Sequence, residues 1–174
     1  YPLSEKSLQL ATKIGKDKFA PVRDAVAQSD VIVVATPPEA IAPLVPELGK
    51  IEGKTVIDAT NSVRTRPEPY RTGFQAIKGI AKIESVVKCF NTTGFENMLD
   101  PNYGGQPIDM FMAGSDKGSK AIAAQLARDI GFGNCYDFGG DDKVELLEQF
   151  ALCWINLAIM QGVGRNIAFR VVRR

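Results

Sequence analysis

Three apolar runs in this chain stop in the same way. VIVVA gives way to Thr36-Pro37-Pro38, TVIDA to Thr60-Asn61-Ser62, and VVKCF to Asn91-Thr92-Thr93-Gly94. A core wants bulk at such places. A backbone that passes close to a ligand wants small side chains, hydroxyls and amides. Asn, Thr, Ser and Pro are also ordinary turn residues, so one such end reads first as a turn. Three of them, on runs that read as buried strands, describe a shallow polar shelf. Ligands of open α/β sheets sit beyond the C-terminal strand ends. An extended ligand such as a dinucleotide fits there.

Histidine is absent. That removes Ser-His-Asp and Cys-His nucleophile systems and the commonest general base. It also removes the commonest ligand for zinc, copper and non-haem iron. The three cysteines, Cys89, Cys135 and Cys153, are widely spaced and form no CxxC. They suggest neither a zinc site nor a disulfide framework, and read as small buried hydrophobes in a reducing, cytoplasmic setting. Chemistry that needs little proton shuttling by side chains is what remains. Hydride transfer between cofactors is of that kind, because the cofactors carry the reacting atoms.

The elements that would position these residues follow from pattern. The 174 residues, 45% hydrophobic and 24% charged, suit a globular domain with a good core. With 21 basic and 20 acidic residues the formal net charge is +1, which argues against a nucleic-acid surface. Residues 4–14 predict a helix capped by Ser4, with Leu8, Ala11 and Ile14 inward and Gly15 as its stop. Val22, Ala25 and Val26 mark a short second helix. VIVVA reads as a strand buried on both faces of a parallel sheet. Pro38 suits a first helical position, and Ile41, Leu44, Val45 and Leu48 form an apolar stripe. TVIDA, ESVVKCFN and IDMFMAG are further strands, and residues 72–81 a helix. Residues 115–131 predict an amphipathic helix with Ala121, Ala124, Leu126 and Ile130 inward and Gly131 as C-cap. GNCYDFGG reads as an edge strand and turn. Residues 141–174 read as one long helix or two, too briefly apolar to span a bilayer. The alternation of strand and helix predicts an α/β fold with a parallel sheet.

The segments DVIVVATPPEAI, GKTVIDATNSV, VVKCFNTTGFENM, MFMAGSDKGSKAIAAQLARDIGF and VELLEQFALCWINLAIMQGVGRNIAFRVVRR resemble successive parts of the NADP oxidoreductase, coenzyme F-420-dependent family. That family includes the reductase domains of the STEAP metalloreductases. The resemblance implies a Rossmann-like doubly wound sheet binding NADP(H), with coenzyme F-420 or a flavin as second substrate. It implies cofactor-binding roles for Lys6, Ala35, Thr36, Pro37, Pro38, Ala59, Asn61, Phe90 and Asn91. Thr36, Pro37 and Pro38 would flank the dinucleotide, Asn61 the nicotinamide ribose, and Phe90 and Asn91 the nicotinamide ring. Lys6 would lie where a 2′-phosphate pocket continues. No side chain is assigned as catalytic and no metal is expected.

The family begins with a strand and a GxGxxG turn that this sequence does not show. The chain therefore reads as starting after a second strand, with residues 1–140 an N-terminally incomplete Rossmann-like domain. Residues 141–174 read as a C-terminal helical segment for core or homodimer packing. Gly162-Val163-Gly164 follows no strand and reads as a site of close helix packing, not as a phosphate loop. Glu145 and Glu148 read as a solvated face and Trp154 as core. Expected partners are small-molecule cofactor substrates, without nucleic acid or membrane. A non-catalytic NADP-binding scaffold, a STEAP-like metal reductase and an imine or semialdehyde reductase stay open as alternatives.

Overall fold

The computed structural model describes residues 5–174, the side chain of Lys6 excepted. Its centre is a sheet in the order β1-β2-β3-β6-β7. These strands are β1 (Val31–Val34), β2 (Thr55–Asp58), β3 (Val86–Cys89), β6 (Met110–Ala113) and β7 (Cys135–Asp137). A hairpin of β4 (Asn102–Tyr103) and β5 (Gln106–Pro107) stands apart from it. The helices are α1 (Glu5–Ile14), α2 (Val22–Ala27), α3 (Ile41–Glu47), α4 (Gly73–Ala81), α5 (Phe95–Leu99), α6 (Lys117–Ile130) and α7 (Val144–Ile155).

β1, β2 and β3 are parallel, in a register that aligns Val34 with Asp58 and Asp58 with Lys88. β6 then runs antiparallel to β3, pairing Ala113 with Lys88, and β7 is parallel to β6. The α/β Rossmann-like class holds, but the sheet is mixed where a wholly parallel one was expected. A parallel neighbour needs a crossover that carries the chain back along the sheet. The five-residue α5 and the small hairpin make no such return. β6 therefore sets off from the end where β3 stopped.

Successive strand side chains point to opposite faces. Val56 and Val86 pack with Ile41, Val45, Phe74, Ile77, Val144 and Leu147 on the face of α3, α4 and α7. Ile57, Val87 and Cys89 pack with Met110, Ala123 and Ala127 on the α6 face. Burying a Val or Ile in this way contributes about 1.5–3 kcal/mol each. Thr72 caps α4 by accepting the Gln75 N–H at 3.2 Å, and Asp116 caps α6 by accepting the Ser119 N–H at 2.6 Å.

Several expectations are corrected. β1 is buried on one face only, and Val33 is 53% exposed, because α6 reaches β2, β3, β6 and β7 and leaves the outer face of β1 open. In α1 only Ala11 of the predicted stripe is buried, while Leu8 and Ile14 are exposed. The Ser4 cap lies outside the described residues. In α6 the buried residues are Ser119, Ala123 and Ala127, spaced four apart; Ala124 and Leu126 are partly buried against the same core as expected, while Ala121 and Ile130 face out. Small side chains let this helix lie close to the sheet, which outweighs the larger apolar residues beside them. The C-terminal segment is helical only through the π turn Asn156–Met160. Gly162 and Gly164 then take left-handed φ of 70° and 97°, with open space where a Cβ would stand. They make a turn, not a helix-packing site, and residues beyond them run without helix or strand.

Candidate functional site

The parallel register brings the three strand ends together. Ala59 N–H bonds Val34 C=O at 2.9 Å, tying the turn after β2 to the end of β1. Asn61 Nδ2 donates to the Asn91 carbonyl at 3.0 Å, and Asn91 Nδ2 donates to Asn61 Oδ1 at 3.1 Å. Phe90, between β3 and Asn91, has φ 62°, a left-handed conformation that costs a non-glycine residue about 1–3 kcal/mol. Pro38 is buried and opens a 3-10 turn after Thr36 and Pro37. Of the residues expected at the cofactor, Ala35, Thr36, Pro37, Pro38, Ala59, Asn61, Phe90 and Asn91 thus occupy three adjoining strand ends. Lys6 lies in α1, with its side chain outside the described residues.

Among the described residues, three buried side-chain oxygens have no hydrogen-bond partner: Thr36 Oγ1, Thr60 Oγ1 and Asn91 Oδ1. One stands at each strand end. An unpartnered buried polar atom costs about 1–3 kcal/mol, so their grouping calls for a cause. The Thr60 hydroxyl lies against Gly73, where a Cβ would stand 2.4 Å from it. Only glycine lets α4 begin this close to the turn after β2. A cleft of about 570 Å³ opens beside Thr36, between Ala40, Pro43, Leu44 and Glu47.

Beneath the shelf lies a charged group that the sequence reading missed. Lys88 is fully buried, and its Nζ donates to Asp58 Oδ2 at 3.0 Å, Glu148 Oε1 at 2.8 Å and the Thr60 carbonyl at 2.5 Å. Asp58 Oδ1 accepts the Thr60 N–H at 2.9 Å. Glu148 Oε2 accepts the Ser62 N–H at 2.8 Å. Glu148 is therefore not on a solvated face, and it joins α7 to the turn after β2. The overlooked signal is a lysine within a continuous apolar strand, which must bury its charge beside a partner.

α7 and the residues after it form a wall against the turn after β3. Trp154 is buried, as expected, and its Nε1–H donates to the Ile167 carbonyl at 2.6 Å. Asn97 Nδ2 donates to the same carbonyl at 2.8 Å, and Asp109 Oδ2 accepts the Val171 N–H at 2.7 Å. Arg165 lies over the Trp154 ring at 5.5 Å and pairs with Glu96 at 2.6 Å. The Arg165 guanidinium holds the Glu96 carboxyl below its ordinary range. A Cβ on Gly94 would come within 3.0 Å of Trp154, so the turn after β3 packs directly on this wall. A small polar cleft of about 70 Å³ lies between Ser62, Arg66, Thr72, Glu145 and Glu148.

Among the described residues, no helix is long and apolar enough to cross a membrane, and no cluster of three or more His, Cys, Asp or Glu could hold a metal ion. Cys89 is buried, whereas Cys153 is exposed and so not the buried hydrophobe expected.

Residues 2–62 match the family model described as NADP oxidoreductase, coenzyme F420-dependent. No curated protein matches the sequence. Among solved structures, the fold is similar to that of a candidate F420-dependent NADP-reductase from Arthrobacter sp. FB24. That match has a TM-score of 0.72 and 27% identity over 88% of this chain and 74% of that one. A hypothetical protein from Sinorhizobium meliloti matches with a TM-score of 0.67 and 23% identity, over 96% of this chain and 78% of that one. The GDP-mannose dehydrogenase of Pseudomonas aeruginosa shares the fold at a TM-score of 0.56 and 16% identity, over 93% of this chain and 41% of that one. The chain is thus similar to the coenzyme F420-dependent NADP oxidoreductases, by family model over residues 2–62 and by Rossmann-like fold over most of its length.

Proposed function

We propose that this protein is an oxidoreductase that binds NADP(H) across the ends of β1, β2 and β3 and exchanges a hydride with a flavin-like or F420-type deazaflavin acceptor. The observation that carries the reading is the grouping of unpartnered Thr36 Oγ1, Thr60 Oγ1 and Asn91 Oδ1 at three adjoining strand ends. A polar ligand offering donors would relieve that cost at Thr36 and Asn91, whereas Thr60 Oγ1 faces the start of α4 at Gly73. The nicotinamide supplies or accepts the hydride when bound. Ala35, Thr36, Pro37 and Pro38 would flank the dinucleotide. Ala59 and Asn61 would lie by the nicotinamide ribose and Phe90 and Asn91 by the ring, with Lys6 towards the 2′-phosphate. The chain's own task is orientation and exclusion of water, and positioning alone can supply several kcal/mol of a barrier. The absence of histidine accords with this division of labour.

Residues 1–140 would form the nucleotide-binding unit and residues 141–174 its packing segment. Leu157, Ile159, Met160 and Val163 are exposed on that segment and suit a homodimer contact. The free cysteines suit a reducing cytoplasm. The test is to mix the full-length protein with NADPH or NADH and a flavin or deazaflavin, and follow reduced-nicotinamide absorbance. Acceptor-dependent oxidation, faster with NADPH, is expected. Binding without turnover would leave a nucleotide-binding scaffold, and no binding would refute the reading.

A further inference from the structure

Resting on the reading above, we propose that Lys88, Asp58 and Glu148 form a positioning triad that fixes the turn after β2, and through it Asn61 and Asn91, for the nicotinamide half of the dinucleotide. Every hydrogen-bonding group of the triad that is not used within it goes to this turn. Lys88 Nζ holds the Thr60 carbonyl, Asp58 Oδ1 the Thr60 N–H, and Glu148 Oε2 the Ser62 N–H. Asn61 stands between these two anchored residues. Its side chain in turn holds both the backbone carbonyl and the side-chain amide of Asn91. One buried network therefore runs from α7 through two strands to the two amides at the shelf.

Stability alone does not account for such a group. A buried ion pair is often no more stabilising than well-packed apolar side chains of the same volume. What three charged groups with fixed bond directions can supply is a single position for a short turn. α4 packs against one side of the turn, with Thr60 against Gly73 and the Ser62 hydroxyl accepting the Gly73 N–H, and the triad fixes its backbone from beneath. The triad acts on the turn through the Thr60 backbone and the Ser62 N–H, so its members are positioning residues.

Glu148→Gln tests this, because it keeps the size and shape of the side chain and leaves Lys88 Nζ and the Ser62 N–H to share one oxygen. The readouts are NADPH affinity, thermal midpoint, and energy transfer from Trp154 to the reduced nicotinamide at saturating NADPH. Trp154 is the only tryptophan in the sequence and packs by the turn after β3. The NADPH dissociation constant should rise about tenfold, the loss expected when a buried polar group loses its partner. Transfer at saturation should also change, because the ring is held differently once bound. Unchanged affinity in a folded variant would overturn the proposal, whether or not the thermal midpoint drops. Lower affinity with unchanged transfer at saturation would mean general loosening and would overturn it as well. If Glu148→Gln does not fold, Glu148→Asp, which keeps the charge but reaches only one of the two donors, is read in the same way. Failure of the unsubstituted full-length protein to bind NADPH would instead remove the functional reading, and it shows before any substitution is made.

Discussion

Asn61 and Asn91 hold each other across the ends of β2 and β3, the amide of each reaching the other residue at 3.0 and 3.1 Å. The exchange uses the Asn91 backbone carbonyl and Nδ2 and leaves Asn91 Oδ1 without a partner. The spare acceptor is itself buried, so a donor from a ligand would reach it with a small shift of the turn. Asn61→Ala removes the clamp and leaves two more groups unpartnered. NADPH affinity should fall about fivefold to fiftyfold, read by fluorescence titration. An unchanged affinity would place the nicotinamide elsewhere.

Lys88→Met removes the cation between two buried carboxylates. Stripping one partner from a buried ion pair costs about 3–5 kcal/mol. Urea unfolding should show a much lower midpoint with an unchanged slope. A midpoint close to that of the parent chain would mean that water already reaches the group.

Trp154 and Asn97 share the Ile167 carbonyl and pin the segment after Gly164 to the domain. Trp154→Phe keeps most of the ring volume and deletes the indole donor. A cost of about 1 kcal/mol is expected, with faster hydrogen exchange confined to residues near 165–171. Protection lost evenly over the sheet would contradict that local role.

Asp116 caps α6, and its hydrogen bonds from the Ser119 hydroxyl and N–H hold its carboxyl below the ordinary aspartate range. A depressed folded pKa means that the ionised cap stabilises the protein above the unfolded aspartate value. That contribution is lost as pH falls through the lower folded value. Asp116→Ala should cost about 0.5–2 kcal/mol near neutral pH. The gap between the two proteins should close in acid, below both pKa values. A gap independent of pH, read from thermal midpoints, would mean that the charge contributes nothing to the cap.

The strand ends were legible because apolar runs of β-branched residues stop abruptly in small polar ones, a change of composition that needs no tertiary knowledge. The stop at Gly131 is local in the same sense. Lys88 could have been flagged, since it interrupts VVKCF as Asp58 ends TVID, and the two align in register. Glu148 could not, because it is sixty residues from Lys88 in sequence and meets it only through the packing of α7. The direction of β6 was hidden for a related reason. It depends on the path of α5 and the hairpin, not on the strand's own residues. The inward face of α6 was legible in part: Ala124 and Leu126 pack against the core, but the most buried positions are Ser119, Ala123 and Ala127, whose small side chains permit close approach to the sheet.

The most direct test of the dinucleotide shelf is a crystal structure of the full-length protein with NADPH. The nicotinamide half should lie over Ala59, Asn61, Phe90 and Asn91, with Asn91 Oδ1 receiving a hydrogen bond. Nucleotide bound at another surface, or bound with Thr36 Oγ1, Thr60 Oγ1 and Asn91 Oδ1 all still unpartnered, would contradict the account.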